Sequence, residues 1–405
     1  MMSLGTLQFF NGSLDFVHSI QVLLLTSLLL MLILINSDEA QMIQLLVKRV
    51  LTELANTPMG VATYTVGLDF RLEKVMSLLD VRSNEVRVLG LYGMGGIGKT
   101  TLAKALYNKL VGRFESLSFI SEVRETAAKD NGLVSLQNKL IQDLSPGKVF
   151  VDYIAAIKEV VHEKRVLVVL DDIDNVTQLD LLIGRREWFY GGSRIIITTR
   201  DREVVPECLV NAFYEVRELR DSEALQLFSY HALRREKPTK KFLDLSKQMV
   251  SLTGGLPLAL EVFGSFLFDK RRIEEWQDAL KKLEQIRPHD LQDVLKISFD
   301  GLDTQEKCIF LDIACLFIKM EREDAIDVLR GCGFRAEIAI RCLTAKSLIK
   351  VTEQNALWMH DQVRDMGRQI VLDEDPVYPW RRSRLWERDA IMTVLKGEKV
   401  RLIVI

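Results

Sequence analysis

Cysteine, net charge and sequence repetition are all in short supply in this 405-residue chain. Its five cysteines show none of the paired spacing of a zinc site. Cys308 and Cys315 stand inside the apolar run 308–317 and read as helix-core residues, while Cys332 and Cys342 are isolated. That usage fits a reduced, cytosolic compartment better than a disulfide scaffold. Lysine and arginine total 54 against 56 acidic residues, a formal charge of −2, so direct nucleic-acid binding is not expected. No solenoid-type repeat is present. No Lys or Arg precedes Lys48, so the positive n-region of a secretory signal is missing.

The amino terminus has instead an uncharged stretch, 16–37 with His18 taken as neutral, close to the length of a membrane span. If it inserts, Lys48 and Arg49 favour a cytosolic carboxyl side. The alternatives are a buried helix or a segment that never meets a membrane. The expected location is therefore cytoplasmic, with membrane anchoring through residues 16–37 left open.

The most informative run is Gly93-Met94-Gly95-Gly96-Ile97-Gly98-Lys99-Thr100, which fits G-x-x-x-x-G-K-[ST]. Glycines let such a loop curl tightly enough for its amides to reach phosphate oxygens. Lys99 would meet the β/γ-phosphates, and Thr100 would give its hydroxyl to Mg²⁺. The flanks agree with that use. Residues 86–92 alternate and then run apolar as a buried strand does, and after the loop Leu102, Leu106 and Leu110 mark one face of a helix. The positive end of that helix would face the phosphates.

Val166–Leu170 is a continuous apolar run, as expected of a central parallel strand, and it ends in Asp171-Asp172. Buried carboxylates need partners; Mg²⁺ for Asp171 and an attacking water for Asp172 supply them. A third run, Arg194-Ile195-Ile196-Ile197-Thr198-Thr199-Arg200, reads as another central strand. Arg200 is either a γ-phosphate contact or a solvated arginine at a strand end. Beyond Arg200 the strand signals fade, and 222–233, 242–252, 258–268 and 274–283 read as successive helices. Further helices follow at 290–299, 305–317 and 321–332, then a hairpin from 347–351 and 356–359, then a helix over 360–372. Helices followed by a small hairpin suggest a winged-helix module.

In this order the loop, the Asp-Asp strand, the Ile-Ile-Ile-Thr-Thr-Arg strand, Gly254-Gly255-Leu256-Pro257-Leu258-Ala259-Leu260 and Met359-His360-Asp361 form a set. With it the chain resembles the nucleotide-binding core of plant disease-resistance proteins of the Toll/interleukin-receptor-type NB-ARC-LRR class. Leu170-Asp171-Asp172-Ile173-Asp174 and Phe310-Leu311-Asp312-Ile313-Ala314-Cys315 resemble that subclass rather than the coiled-coil one. The resemblance covers roughly residues 37 to 390. It implies an α/β P-loop NTPase domain, a parallel sheet with helices on both faces, followed by a helical domain and a winged-helix domain. It further implies ADP/ATP with Mg²⁺ as ligands. Val66 and Gly67 would line the adenine, Pro257 would pack near the base, and His360 would contact the β-phosphate of ADP. Thr101 joins Gly93–Thr100 as a nucleotide contact.

The expected organisation is a hydrophobic segment over 1–36, a helical linker over 37–65 and the nucleotide-binding domain over 66–212. A helical bundle over 213–295, a winged-helix domain over 296–375 and a linker over 376–405 follow. Residues 1–36 are too short for a Toll-type domain, so NAD cleavage is not expected, and ATP hydrolysis would at most be slow. The resemblance implies an ADP/ATP switch in plant immune signalling, self-associating or associating with full-length resistance proteins. Two alternatives stand beside it: a truncated regulatory or inert partner of such receptors, and an ATPase remodelling nucleic acid or protein.

Overall fold

The structure is a computed structural model that describes residues 58–147, 152–284 and 291–396. The uncharged stretch 16–37 lies outside them, and among the described residues no helix is long and apolar enough to cross a membrane.

Five parallel strands form the central sheet: β1 (Arg87–Tyr92), β2 (Ser116–Ile120), β3 (Val166–Ile173), β4 (Arg194–Thr199) and β5 (Ala212–Glu215). Their order is β2-β3-β4-β1-β5. Successive side chains of a strand point to opposite faces, so an unbroken apolar run can serve two cores. Leu167, Val169 and Ile196 enter one core, and Val166, Val168, Leu170, Ile195 and Ile197 enter the other. The register pairs Tyr92 with Thr199 and Ile173 with Thr199. The carboxyl ends of β1, β3 and β4 therefore open on one edge, where ligands of α/β sheets bind.

Two strands were not evident from the sequence pattern. β2 is five residues long and mixes serines with apolar positions, and β5 is a four-residue edge strand with no fully buried side chain. β2 alternates over only four residues, Ser116 to Phe119, and β5 does not alternate; both are completed by pairing, with β3 and β1 respectively.

Helices Asp221–Leu233, Leu243–Leu252, Pro257–Leu267 and Ile273–Glu284 follow the sheet. They pack around the fully buried Trp276, which meets Phe228 edge-on at 6.0 Å and Phe242 at 4.5 Å. Helix Leu291–Asp300 leads into Thr304–Asp312, which begins with a capping box of Asp303 and Glu306. The helix expected over 305–317 changes character at Ile313, where a π turn carries it to Phe317. Arg368 Nε donates to the carbonyl of Ala314 within that turn at 3.1 Å. Helices Arg322–Gly331 and Ala336–Ala345 precede a hairpin shorter than expected, Lys350–Val351 against Leu357–Trp358. Helix Asp361–Glu374 comes directly after it.

One buried cation ties the sheet to the helix ahead of it. Arg194, with no accessible surface, opens β4 and donates to six backbone carbonyls, those of Leu79, Asp80, Ser83, Glu85, Gly192 and Ser193. They belong to the end of helix Leu68–Leu79, the turn into β1 and the turn into β4. A methionine there would fill the volume but remove the donor from all six; Asp80, Gly192 and Ser193 would keep the Ser83 amide, Arg165 Nε and the Arg87 amide, while Leu79, Ser83 and Glu85 would lose their side-chain donor. We expect Arg194→Met to lower stability by about 3 kcal/mol. Urea unfolding measures it, and an unchanged midpoint would show that the carbonyls find other partners.

Candidate functional site

The glycine loop joins β1 to helix Lys99–Leu110. Gly98 takes φ 99° and serves as the helix N-cap without a side chain, leaving the first-turn amides to a ligand. The loop also touches two helices from beyond the sheet. A Cβ on Gly95 would lie 2.4 Å from Gln362 Nε2, and one on Gly96 2.8 Å from Leu258 Cβ. The Leu258 amide donates to the Gly96 carbonyl at 3.2 Å. Helices Pro257–Leu267 and Asp361–Glu374 thus rest directly on the loop.

Lys99 is 7% exposed and donates through Nζ to the carbonyls of Gly93 and Met94 at 2.7 and 2.8 Å. Burial, with Arg200 nearby, pushes its pKa down to about 8 against the pull of Asp172, Asp171 and Asp361. Thr100 Oγ1 donates toward the Asp171 carboxylate, 3.0 Å from each oxygen, and Thr198 Oγ1 reaches the same group at 2.7 Å. Burial raises the Asp171 pKa to about 6 despite those hydroxyls. Asp172 is held differently. Its Oδ2 accepts from Arg124 Nε at 2.9 Å, and its Oδ1 lies 3.3 Å from Arg200 Nε.

Both arginines reach on to helix Asp361–Glu374. Arg124 Nη2 lies 3.2 Å and Arg200 Nη2 3.1 Å from Asp361 Oδ2, with Asp365 at 3.9 Å from each. Arg364 pairs with Glu125, Asp361 and Asp365 from the same helix. His360 caps that helix, its Nδ1 accepting from the Gln362 amide at 3.2 Å, and burial brings its pKa down to about 4.

A pocket beside the loop is lined by Val66, Ile97, Gly98, Thr101 and Pro257, five of the residues marked in the sequence. Gly67 stands at its edge, φ 67°, as the N-cap of helix Leu68–Leu79. His231, Glu261 and Lys350 also line the pocket. Burial would raise the Glu261 pKa, but Lys350, 2.8 Å away, holds it below its usual value. The loop, Asp171, Asp172 and Arg200 meet at one edge of the sheet, Val66 and Pro257 flank the pocket, and His360 stands at the head of the helix whose Asp361 reaches Arg200. Sequence reasoning missed Arg124, Asp365, Glu261 and Lys350. Arg124 and Asp361 are 237 positions apart, and nothing local marks such a pair.

Residues 69–238 match the NB-ARC domain model, and residues 303–375 match the winged-helix domain of Roq1-like disease resistance proteins. The chain is 39% identical over 355 residues to disease resistance protein RPV1 of Vitis rotundifolia, covering 86% of this chain and 25% of that protein. It is 40% identical over 343 residues to disease resistance protein RUN1 of Vitis rotundifolia, with 82% and 26% covered. It is 39% identical over 374 residues to TMV resistance protein N of Nicotiana glutinosa, with 89% and 32% covered. The chain thus spans between about a quarter and a third of the length of these relatives.

Burial brings the pKa of His231, in the pocket wall, down to about 4. The unfolded chain therefore binds more protons between pH 6.5 and 4, and this histidine's contribution to stability falls as pH falls through that window. Asp171, raised to about 6, works in the opposite sense, so the comparison must be between variants. Replacing His231 by Gln should remove about 2 kcal/mol of destabilisation between pH 7 and pH 5. Urea titrations at both values measure it; parallel loss in wild type and variant would contradict the assignment.

Proposed function

The chain belongs to the NB-ARC family of disease-resistance proteins, and from that premise we propose that it is a nucleotide-operated switch in plant immune signalling. ADP holds the α/β, helical and winged-helix parts together, and exchange for ATP releases the winged helix. The observation that carries this reading is the convergence at the carboxyl edge of the sheet: on the loop Leu258 bonds Gly96 and Gln362 packs on Gly95, and beside it Asp361 shares Arg200 with Asp172. A phosphate bound at such a loop touches every part that would have to move. To drive the change from 1:99 to 99:1, the two nucleotides must differ in preference for the two forms by about 10⁴-fold.

In this reading Gly93–Thr101 cradle the phosphates, Val66, Gly67 and Pro257 flank the adenine, and His360 stands by the β-phosphate. Thr100 and Asp171 would hold Mg²⁺, since their oxygens are the hard donors it prefers and already lie within 3.0 Å of one another. The cation would offset phosphate charge. Asp172 would orient the attacking water in a slow hydrolysis that resets the switch. Self-association, or association with full-length resistance proteins, would follow from surfaces uncovered on opening. The cytoplasm, where ATP is available, is the expected compartment.

The purified chain should carry ADP, and its turnover should lie far below about one per second. Rapid turnover stimulated by DNA would contradict the switch. Lys99→Ala should abolish nucleotide retention, because the cation beside the β/γ-phosphates is lost; ADP recovered with that variant would refute the cradle. His360→Ala should speed ADP release by about tenfold, one lost hydrogen bond to a charged group. Stopped-flow with a fluorescent ADP measures it, and an unchanged rate would remove His360 from the site.

A further inference from the structure

Asp172, next to last in β3, takes φ 63°, a left-handed conformation that costs a non-glycine residue energy and persists where surroundings enforce it. Thr198 supplies part of that enforcement, its Oγ1 accepting from the Asp172 amide at 2.9 Å. The carboxylate, 13% exposed, does not share the hydroxyl partners of Asp171. It meets two cations instead, Arg124 on Oδ2 and Arg200 on Oδ1. A carboxylate so engaged is poorly placed to accept a proton from water, because each oxygen already serves a charge-assisted contact.

We propose that Arg124 is a positioning residue that restrains hydrolysis, by occupying the Asp172 oxygen that would otherwise take the proton of the attacking water. The proposal rests on the nucleotide-switch reading and deepens it by naming what slows the hydrolysis that resets the switch. In the restrained step the water oxygen bonds to the γ-phosphorus as the bond from that phosphorus to the β–γ bridging oxygen breaks. The electron pair leaves on ADP, and the water proton passes to Asp172 Oδ2. Arg124 comes from helix Val123–Ala127, just after β2, so its guanidinium is delivered by the sheet itself. Its other end is fixed by Asp361 on the winged-helix side.

Single-turnover hydrolysis of radiolabelled ATP by the full chain tests this, with fluorescent-ADP binding measured on every variant. Arg124→Gln should hydrolyse about tenfold faster than wild type, since a freed general base restores part of its usual contribution. Adding Asp172→Asn to Arg124→Gln should cancel the gain. Asp361→Asn removes the docking partner but leaves both arginines to Asp172, and should give no such gain. Arg124→Met replaces Arg124→Gln if the latter fails to bind ADP. A rate for Arg124→Gln equal to wild type, a gain that survives Asp172→Asn, or an equal gain in Asp361→Asn would each overturn the restraint. Failure of the wild-type chain to bind ADP would overturn the switch reading itself, a separate outcome.

Discussion

The Asp361 carboxylate joins the winged-helix part to the carboxyl edge of the sheet. Besides Arg364 of its own helix, Arg124 and Arg200 bind it, and these two also bind Asp172, so one cluster of four side chains ties the end of β3, the end of β4 and the first turn of helix Asp361–Glu374. The four side chains are between 13% and 29% exposed, so the cluster is neither a screened surface pair nor a fully dry one. Exposed pairs contribute little, whereas breaking a buried pair costs about 3–5 kcal/mol because a charge is stranded. An intermediate cluster suits a contact that must be both stable and exchangeable. In the proposed switch, a phosphate arriving among these guanidiniums would compete with Asp361 for them.

The remaining structure supports that contact with parts of different rigidity. The sheet supplies an edge that does not yield, since its inward strands bury both faces and Arg194 fastens the turns beneath them. Against this edge the helical and winged-helix parts make polar contacts on the loop, through the Leu258 amide on Gly96, and beyond it, through Asp361 on Arg124 and Arg200, Arg364 on Glu125, Trp358 and Lys319 on Glu122, and Glu223 on Arg71. One of these contacts lies on the loop and the Asp361 contacts lie at the strand ends beside it, so in the proposed switch docking and phosphate binding would be coupled. Coupling of this kind needs only that a ligand interact differently with two arrangements.

The parts of the fold that were legible in the sequence are those whose physics is local. The loop is a contiguous motif, and β1, β3 and β4 are apolar runs because both their faces are buried. Helices with one apolar face, such as Asp221–Leu233 and Ile273–Glu284, were legible within a residue or two at each end. β2 and β5 were not, because pairing rather than pattern makes them strands. Helix Ala336–Ala345, which packs against helices Thr304–Asp312 and Arg322–Gly331, was not read from the sequence, whereas the hairpin was read but with longer strands than it has. Within the site, Asp171, Asp172 and Lys99 announce themselves by position in strand or loop. Arg124 does not, since its partner Asp361 is 237 residues away and the strand that delivers it carries no signal of its own. The role of His360 came only from family resemblance; alone it reads as the helix cap that it also is.

The central claim is that nucleotide identity sets whether the winged helix stays docked on the loop. Small-angle X-ray scattering of the chain loaded with ADP, and then with a non-hydrolysable ATP analogue, tests it most directly. The account predicts a larger radius of gyration with the analogue and a compact particle with ADP. Superimposable curves from the two saturated samples would contradict it.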